Sequence, residues 1–131
     1  MTKRISIVTP LFNEEENVED LCNRIAAVMQ ALPYEYEHLC IDNCSGDRTV
    51  ALLRERAARD PHLKVIVNAR NFGHIRSPYY ALLQADGDAA VIIAGDLQDP
   101  PELIPEFIQK WEEGYKSVMA VKPDSDETSV M

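Results

Sequence analysis

Asp96 and Gln98 sit where an apolar run breaks off into carboxylates and amides: Ile92-Ile93-Ala94-Gly95-Asp96-Leu97-Gln98-Asp99-Pro100-Pro101-Glu102. Two residues apart in an extended segment, their side chains project to the same side. Two oxygen ligands on one side suit a hard divalent cation. Other polar residues also close apolar segments. Thr9, Asn13 and Glu14 follow the first, Asp42 the second, and Arg70 and Asn71 the third. If those segments are parallel strands, all of these groups meet at one sheet edge, where open α/β sheets bind ligands. Some also have a purely local use. Asn13-x-x-Glu16 reads as a helix capping box, and Asp99-Pro100-Pro101-Glu102 as another with proline at the first helical position. Asp42 has the alternative of capping the turn that follows it.

Other chemistries find little support. There is no G-x-G-x-x-G after the first strand and no G-x-x-x-x-G-K, which disfavours a dinucleotide fold or a P-loop. Cys22, Cys40 and Cys44 form no C-x-x-C and show no zinc spacing, so they read as reduced thiols. His38 and His62 read as structural or solvated, whereas His74 lies beside the candidate site. No Ser-His-Asp arrangement is readable.

The elements that must position these residues follow from periodicity. Residues 4–9, 36–42, 63–67, 89–94 and 115–121 are β-branched and apolar and read as strands. Val18, Leu21, Cys22, Ile25, Val28, Met29 and Leu32 recur at helical spacing and stop at Pro33. Further helices are expected over residues 49–59, 75–85 and 103–111. Strand and helix alternate throughout, which predicts an α/β domain: a mostly parallel sheet with helices on both faces. No internal repeat or linker divides residues 1–131, so they read as a single domain.

Composition sets outer bounds. At 131 residues, 46% hydrophobic and 27% charged, the chain can bury a proper core. The formal net charge of −9 disfavours a nucleic-acid partner. An anionic small ligand then needs a cation, an arginine or helix N-termini to offset the repulsion. No apolar run approaches the ~20 residues of a membrane span. Residues 5–8 are too short for a signal-peptide core, so the chain reads as cytoplasmic.

Four segments in order resemble family 2 glycosyltransferases with the GT-A fold. Thr9-Pro10-Leu11-Phe12-Asn13-Glu14-Glu15-Glu16-Asn17 is similar to the family's opening segment. Asp42-Asn43-Cys44-Ser45-Gly46-Asp47-Arg48-Thr49 is similar to its "DDGSxDxT" and Arg70-Asn71-Phe72-Gly73 to its "RNxG". Asp96-Leu97-Gln98-Asp99-Pro100-Pro101-Glu102 resembles the "DLQDPPE" of the branch with dolichyl-phosphate mannose synthases and bactoprenol glucosyltransferases. The resemblance implies roles. Thr9, Pro10, Phe12, Glu14 and Asp42 would border the base and ribose of a UDP- or GDP-linked sugar, with Arg70 and Asn71 beside them. Asp96 and Gln98 would hold Mg²⁺ or Mn²⁺ on the diphosphate. The acceptor would be a polyprenyl phosphate or a saccharide, in cell-wall or polysaccharide biosynthesis.

Departures from the pattern carry expectations of their own. Ala94 replaces the first acid of the family's D-x-D, so metal binding should be weak. Asn43 replaces the second acid of the "DD" pair. The family's catalytic base and acceptor site lie beyond its "DLQDPPE" segment, so the base is expected after Met131; Asp124, Asp126 and Glu127 come too early. The chain thus reads as a donor-binding half, with little turnover alone and an exposed edge that favours homo-oligomers. In a full-length parent, membrane helices would follow where the family carries them. The rival expectation is a non-catalytic nucleotide-binding or protein-interaction module. A nucleotidyltransferase would want a Gly-rich loop with Lys or Arg, which Pro10-Leu11-Phe12-Asn13-Glu14 does not supply.

Overall fold

Apolar runs bounded by turn formers become four strands, and the helical periodicities become the crossovers between them. In the computed structural model, which describes residues 2–118, the strands are β1 (Arg4–Leu11), β2 (Glu35–Asp42), β3 (Leu63–Val67) and β4 (Ala89–Ile92). Between them lie α1 (Val18–Gln30), α2 (Thr49–Ala57) and α3 (Gly73–Gln84); a 3-10 turn (Pro101–Leu103) then leads into α4 (Ile104–Glu112). Every strand pair is parallel, in the order β3-β2-β1-β4.

The chain steps outward from β1 to β3 and then jumps back past β1 to β4. With right-handed crossovers, the return helix must lie on the opposite face from the outward ones. That is how the core divides. Ile5, Ile7 and Leu11 of β1 pack with Leu21 and Ile25 of α1, Leu53 of α2 and Ile104 and Ile108 of α4. Val8, Leu39 and Ile41 face the other way, onto Ala81 of α3. Each fully buried Leu or Ile contributes about 1.5–3 kcal/mol, so α1, which buries Leu21 and Ile25 completely, is firmly seated. The direction reverses between β1 and β4, which makes their carboxyl ends the switch point where such sheets take ligands.

The amino edge of the sheet is closed by charge. Glu37, 1% exposed, accepts from Ser6 Oγ at 2.6 Å, Lys64 Nζ at 2.9 Å and the Asp86 N–H at 2.9 Å. Burial pushes its carboxyl up, but Lys64, Ser6 and Asp86 outweigh that and hold it at about 2.

Several boundaries differ from the sequence expectation. β1 runs through Pro10 to Leu11. Proline cannot donate to a ladder, but the Val8 and Pro10 carbonyls face the β4 side, where they accept from Ile93 and Gly95. The missing N–H therefore points past the end of β4, and no ladder bond is lost. β4 stops at Ile92 rather than at residue 94, and it is half open: Ile92 is 49% exposed because α3 covers β1 and β2 instead. α3 begins two residues early, at Gly73, and carries Pro78 within its first turns. Of the fifth strand expected over residues 115–121, residues 115–118 are not strand, and the rest lie outside the described residues, as do Asp124, Asp126 and Glu127.

Candidate functional site

The loops that follow all four strands converge at the carboxyl edge, and each contains one residue in the left-handed region. These are Asn13 (φ 54°) after β1, Cys44 (φ 69°) after β2, Gly73 (φ 89°) after β3 and Leu97 (φ 61°) after β4. For a residue with a side chain this conformation costs roughly 1–2 kcal/mol, and such strain gathers at functional sites.

Cross-loop hydrogen bonds sustain it. The Asn13 N–H donates to Ser45 Oγ, and its Oδ1 accepts from the Gly46 N–H, each at 2.8 Å. The Glu14 N–H donates to Thr49 Oγ1 at 2.9 Å and the Glu15 N–H to Asp47 Oδ2 at 3.2 Å. Asp47 also accepts from the Thr49 N–H and hydroxyl, at 2.9 and 2.5 Å. Burial pushes the Asp47 carboxyl up, but these donors outweigh it and hold it below the ordinary carboxylate range. The capping box expected at Asn13 and Glu16 therefore does not form. Asn13 is spent on the β2 loop, and α1 starts later, at Val18, whose N–H bonds the Glu14 carbonyl.

Asp42 is fully buried, with Ser45 donating from its N–H to Oδ2 (2.8 Å) and from Oγ to Oδ1 (2.5 Å). It holds the turn. Asn43, unremarked by motif except as a departure, is the hub that ties β2 to the loop after β3. Its Oδ1 accepts from the Phe72 N–H at 2.8 Å and Asn68 Nδ2 at 3.2 Å. Its Nδ2 donates to Asn71 Oδ1 at 2.9 Å and the Gly73 carbonyl at 3.1 Å. An aspartate could not make the last two bonds, because an ionised carboxylate only accepts. The place of Asn43 in the family's paired motif, where it stands for an acid, was the sequence signal that marked it. Asn71 in turn accepts from the Gly73 N–H at 2.7 Å at the start of α3.

The remaining predicted residues divide. Phe12 (47% exposed), the half-buried Glu14, and the exposed Arg70, Asn71 and Asp96 line the accessible edge. Arg70 lies over the Phe72 ring, 4.4 Å from its centroid. Half-buried Pro10, one residue before the end of β1, lies beside Gly95, whose N–H bonds the Pro10 carbonyl at 3.2 Å. Thr9 points away, fully buried, with Oγ1 2.8 Å from His38 Nε2. His74 is exposed on the first turn of α3 and has no side-chain hydrogen bond among the described residues.

Asp96 and Gln98 are not related as expected. The strand has already ended, and left-handed Leu97 between them makes a turn in which the Gln98 N–H donates to Asp96 Oδ1 at 3.1 Å. Their shared direction cannot be drawn from an extended alternation. The donor set still fits a hard divalent cation. Asp96 is exposed, its Oδ2 makes no hydrogen bond among the described residues, and Gln98 offers an amide oxygen. Nor do Asp99 and Glu102 cap the next helix. No side-chain cap forms at the 3-10 turn, and Glu102 instead takes Arg24 of α1 at 2.5 and 3.0 Å. That pair anchors the Asp96 loop to α1 from outside.

A cavity of about 370 Å³ opens between β3 and α3, lined by Val67, Ala69, Phe72, Arg76 and Tyr80. It lies at the β3 border of the sheet, beside the loop that carries Arg70 and Asn71.

Known proteins show the same architecture. The family model described as Glycosyl transferase family 2 matches residues 6–130. An uncharacterized glycosyltransferase of Bacillus subtilis (strain 168) is 44% identical over 117 residues, covering 89% of this chain and 36% of that protein. A bactoprenol glucosyl transferase of Shigella phage SfV is 37% identical over 121 residues, covering 92% and 39%. The chain thus spans under two fifths of the length of these curated relatives. Among solved structures, S. aureus TarS (residues 1–349) is 27% identical with a TM-score of 0.63, covering 79% of this chain and 32% of that one. A mannosyltransferase from Pyrobaculum calidifontis, solved with GDP-Man and Mn²⁺, superposes with a TM-score of 0.68 at 22% identity, covering 85% and 32%. These likenesses are to GT-A folds.

Proposed function

The chain belongs to glycosyl transferase family 2, and we propose that it is the donor-binding part of a glycosyltransferase that moves a sugar from a UDP- or GDP-linked donor to a polyprenyl phosphate or a saccharide. The observation that carries this reading is the set of strained loops at the switch point, locked to one another and bordered by Asp96. Relatives named as bactoprenol glucosyl transferase and undecaprenyl-phosphate 4-deoxy-4-formamido-L-arabinose transferase support a lipid-phosphate acceptor.

In this reading Phe12 and Arg70 offer flat apolar and cationic surface to the base, and Glu14 and Asn71 offer polar atoms to the ribose. Thr9, Asp42 and Asn43, whose side chains are enclosed, position those loops rather than touch the donor. Asp96 and Gln98 hold Mg²⁺ or Mn²⁺. When bound, the cation supplies Lewis-acid stabilisation to the departing nucleoside diphosphate. It also offsets the repulsion between an acidic chain and an anionic donor. With Ala94 where a second acid would stand, one carboxylate gives weak metal affinity. A lipid-phosphate acceptor is already anionic and needs no general base, whereas a hydroxyl acceptor requires one from outside residues 2–118.

Calorimetric titration with UDP and with GDP, with and without Mn²⁺, tests this on the wild-type chain and Asp96→Ala. One nucleotide should bind in the presence of Mn²⁺, and affinity should fall roughly 10-fold or more without metal or in the variant. If neither nucleotide binds under any condition, the donor site is wrong and an interaction module is the better account.

A further inference from the structure

Directly behind the strand ends, on the face covered by α1, lies a polar cluster that the donor site does not use. Strand alternation puts His38 and Cys40 of β2 on one face. Thr9 of β1 stands beside Cys40 in the parallel register. Cys22 of α1 comes down onto them, and the ligating atoms of Cys22, His38 and Cys40 all lie within 4.8 Å of one another. Every member is buried: Cys22 4% exposed, His38 4%, Cys40 0% and Thr9 0%. His38 Nε2 is 2.8 Å from Thr9 Oγ1 and 3.5 Å from Cys40 Sγ.

We propose that Cys22, His38 and Cys40, with the Thr9 hydroxyl as fourth ligand, form a buried site for a thiophilic divalent cation of the Zn²⁺ class that ties α1 to β1 and β2. The chemistry is a Cys₂His donor set, the type that tetrahedral zinc takes. The sulfur–nitrogen spacing agrees. Metal–sulfur and metal–nitrogen bonds of about 2.3 and 2.0–2.1 Å at tetrahedral angles put sulfur and nitrogen about 3.6 Å apart, close to the present 3.5 Å between Cys40 and His38. Charge agrees too. Binding releases both thiol protons to solvent, and two thiolates neutralise the dication, so the loaded site carries no net charge into the core. Sequence spacing could not reveal the site, because its third ligand comes from a different element.

The test uses Co²⁺, whose thiolate charge-transfer and tetrahedral ligand-field absorption report both ligand type and geometry. Metal is added to the chain carrying Cys44→Ser, which removes the exposed thiol, both to native protein and during refolding. One equivalent should bind with both absorption signatures, unchanged by Asp96→Ala and lost in Cys40→Ala and in His38→Phe. Zn²⁺ should compete stoichiometrically and raise the melting temperature. Should those variants fail to fold, X-ray absorption on zinc-loaded wild type decides between two sulfur and two nitrogen or oxygen neighbours, as proposed, and any set with fewer than two sulfurs. Absence of stoichiometric uptake by the Cys44→Ser chain, or a signal that survives in folded Cys40→Ala, overturns the site.

Discussion

Asn43 and Glu37 show how single side chains set the behaviour of the two sheet edges. Asn43→Asp restores the acid of the family's paired motif, yet here it removes two donated bonds, to Asn71 Oδ1 and the Gly73 carbonyl, and faces those oxygens with charge. Stability should fall by about 1–3 kcal/mol, read as a lower urea midpoint, and nucleotide affinity should fall with it as the loop after β3 loosens. An unchanged midpoint would refute the hub. Glu37 governs acid sensitivity at the other edge. Its folded pKa of about 2 lies below the ordinary 4.5, so its contribution is fully present above pH ~4.5 and is lost as the pH falls toward ~2, in total on the order of 3 kcal/mol. Denaturant midpoints between pH 5 and 2.5 should drop steeply in wild type and less steeply in Glu37→Gln. Residue types were legible in the sequence at this scale. Asp96, Arg70 and Asn71 were legible as polar groups that close apolar runs, Phe12 only through its place in the family's opening segment, and all four reach the accessible edge. Partners were not legible: Asn13 finds Ser45 and Gly46 across more than thirty residues, and local spacing suggested a helix cap instead.

At the scale of elements, close backbone approach decides what the loops can do. Gly95 lies against the end of β1, where an added Cβ would come 2.2 Å from Leu11 Cδ2 and 3.2 Å from the Pro10 carbonyl. Leu11 is buried and cannot swing freely, so Gly95→Ala must lift the Asp96 loop off β1. Gly87, at the amino edge, would meet Ser6 Oγ at 2.6 Å and backbone atoms of Ser6 and Arg4 at 2.8 and 2.9 Å. Both substitutions overpack and should cost at least about 1–3 kcal/mol, Gly87→Ala the more, since backbone yields less than a side chain. They separate in binding. Below its melting temperature, folded Gly87→Ala should retain wild-type nucleotide affinity, whereas Gly95→Ala should lose it; equal affinities would mean that Gly95 does not place the site. The four described strands, three crossovers and α4 were readable from periodicity, because buried parallel strands are continuous apolar runs. The ends were not. β4 ends at Ile92 although Ile93 and Gly95 still donate to the Val8 and Pro10 carbonyls, and α3 starts where Asn71 accepts the Gly73 N–H. The first depends on pairing with β1, the second on an Asn71 side chain that Asn43 of the loop after β2 holds in place.

For the whole molecule, the uncovered surface is the informative feature. α3 shows a stripe of Ile75 (74% exposed), Tyr79 (62%) and Leu83 (63%) at four-residue spacing, with Ile92 of β4 exposed beyond it. Among the described residues β4 pairs only with β1. Contiguous apolar surface and an open strand edge both favour association, and the curated relatives, which this chain covers to under two fifths, have further length with which to cover such a face. The homo-oligomer expected from sequence is therefore retained as a proposal, with its surface moved from an expected fifth strand to α3 and β4. A formal charge of −9 on each copy opposes self-association. Screening beyond about 10 Å at 0.1 M salt weakens that opposition and leaves apolar contact unaffected. Light scattering should therefore show a mass that rises with protein concentration and rises further from 0.02 to 0.5 M NaCl. Tyr79→Lys with Leu83→Lys, both on exposed positions, should return the monomer at every salt concentration without lowering the melting temperature. An association that salt dissolves would be ionic rather than apolar, and a monomer throughout would show that the stripe does not pair copies of this chain.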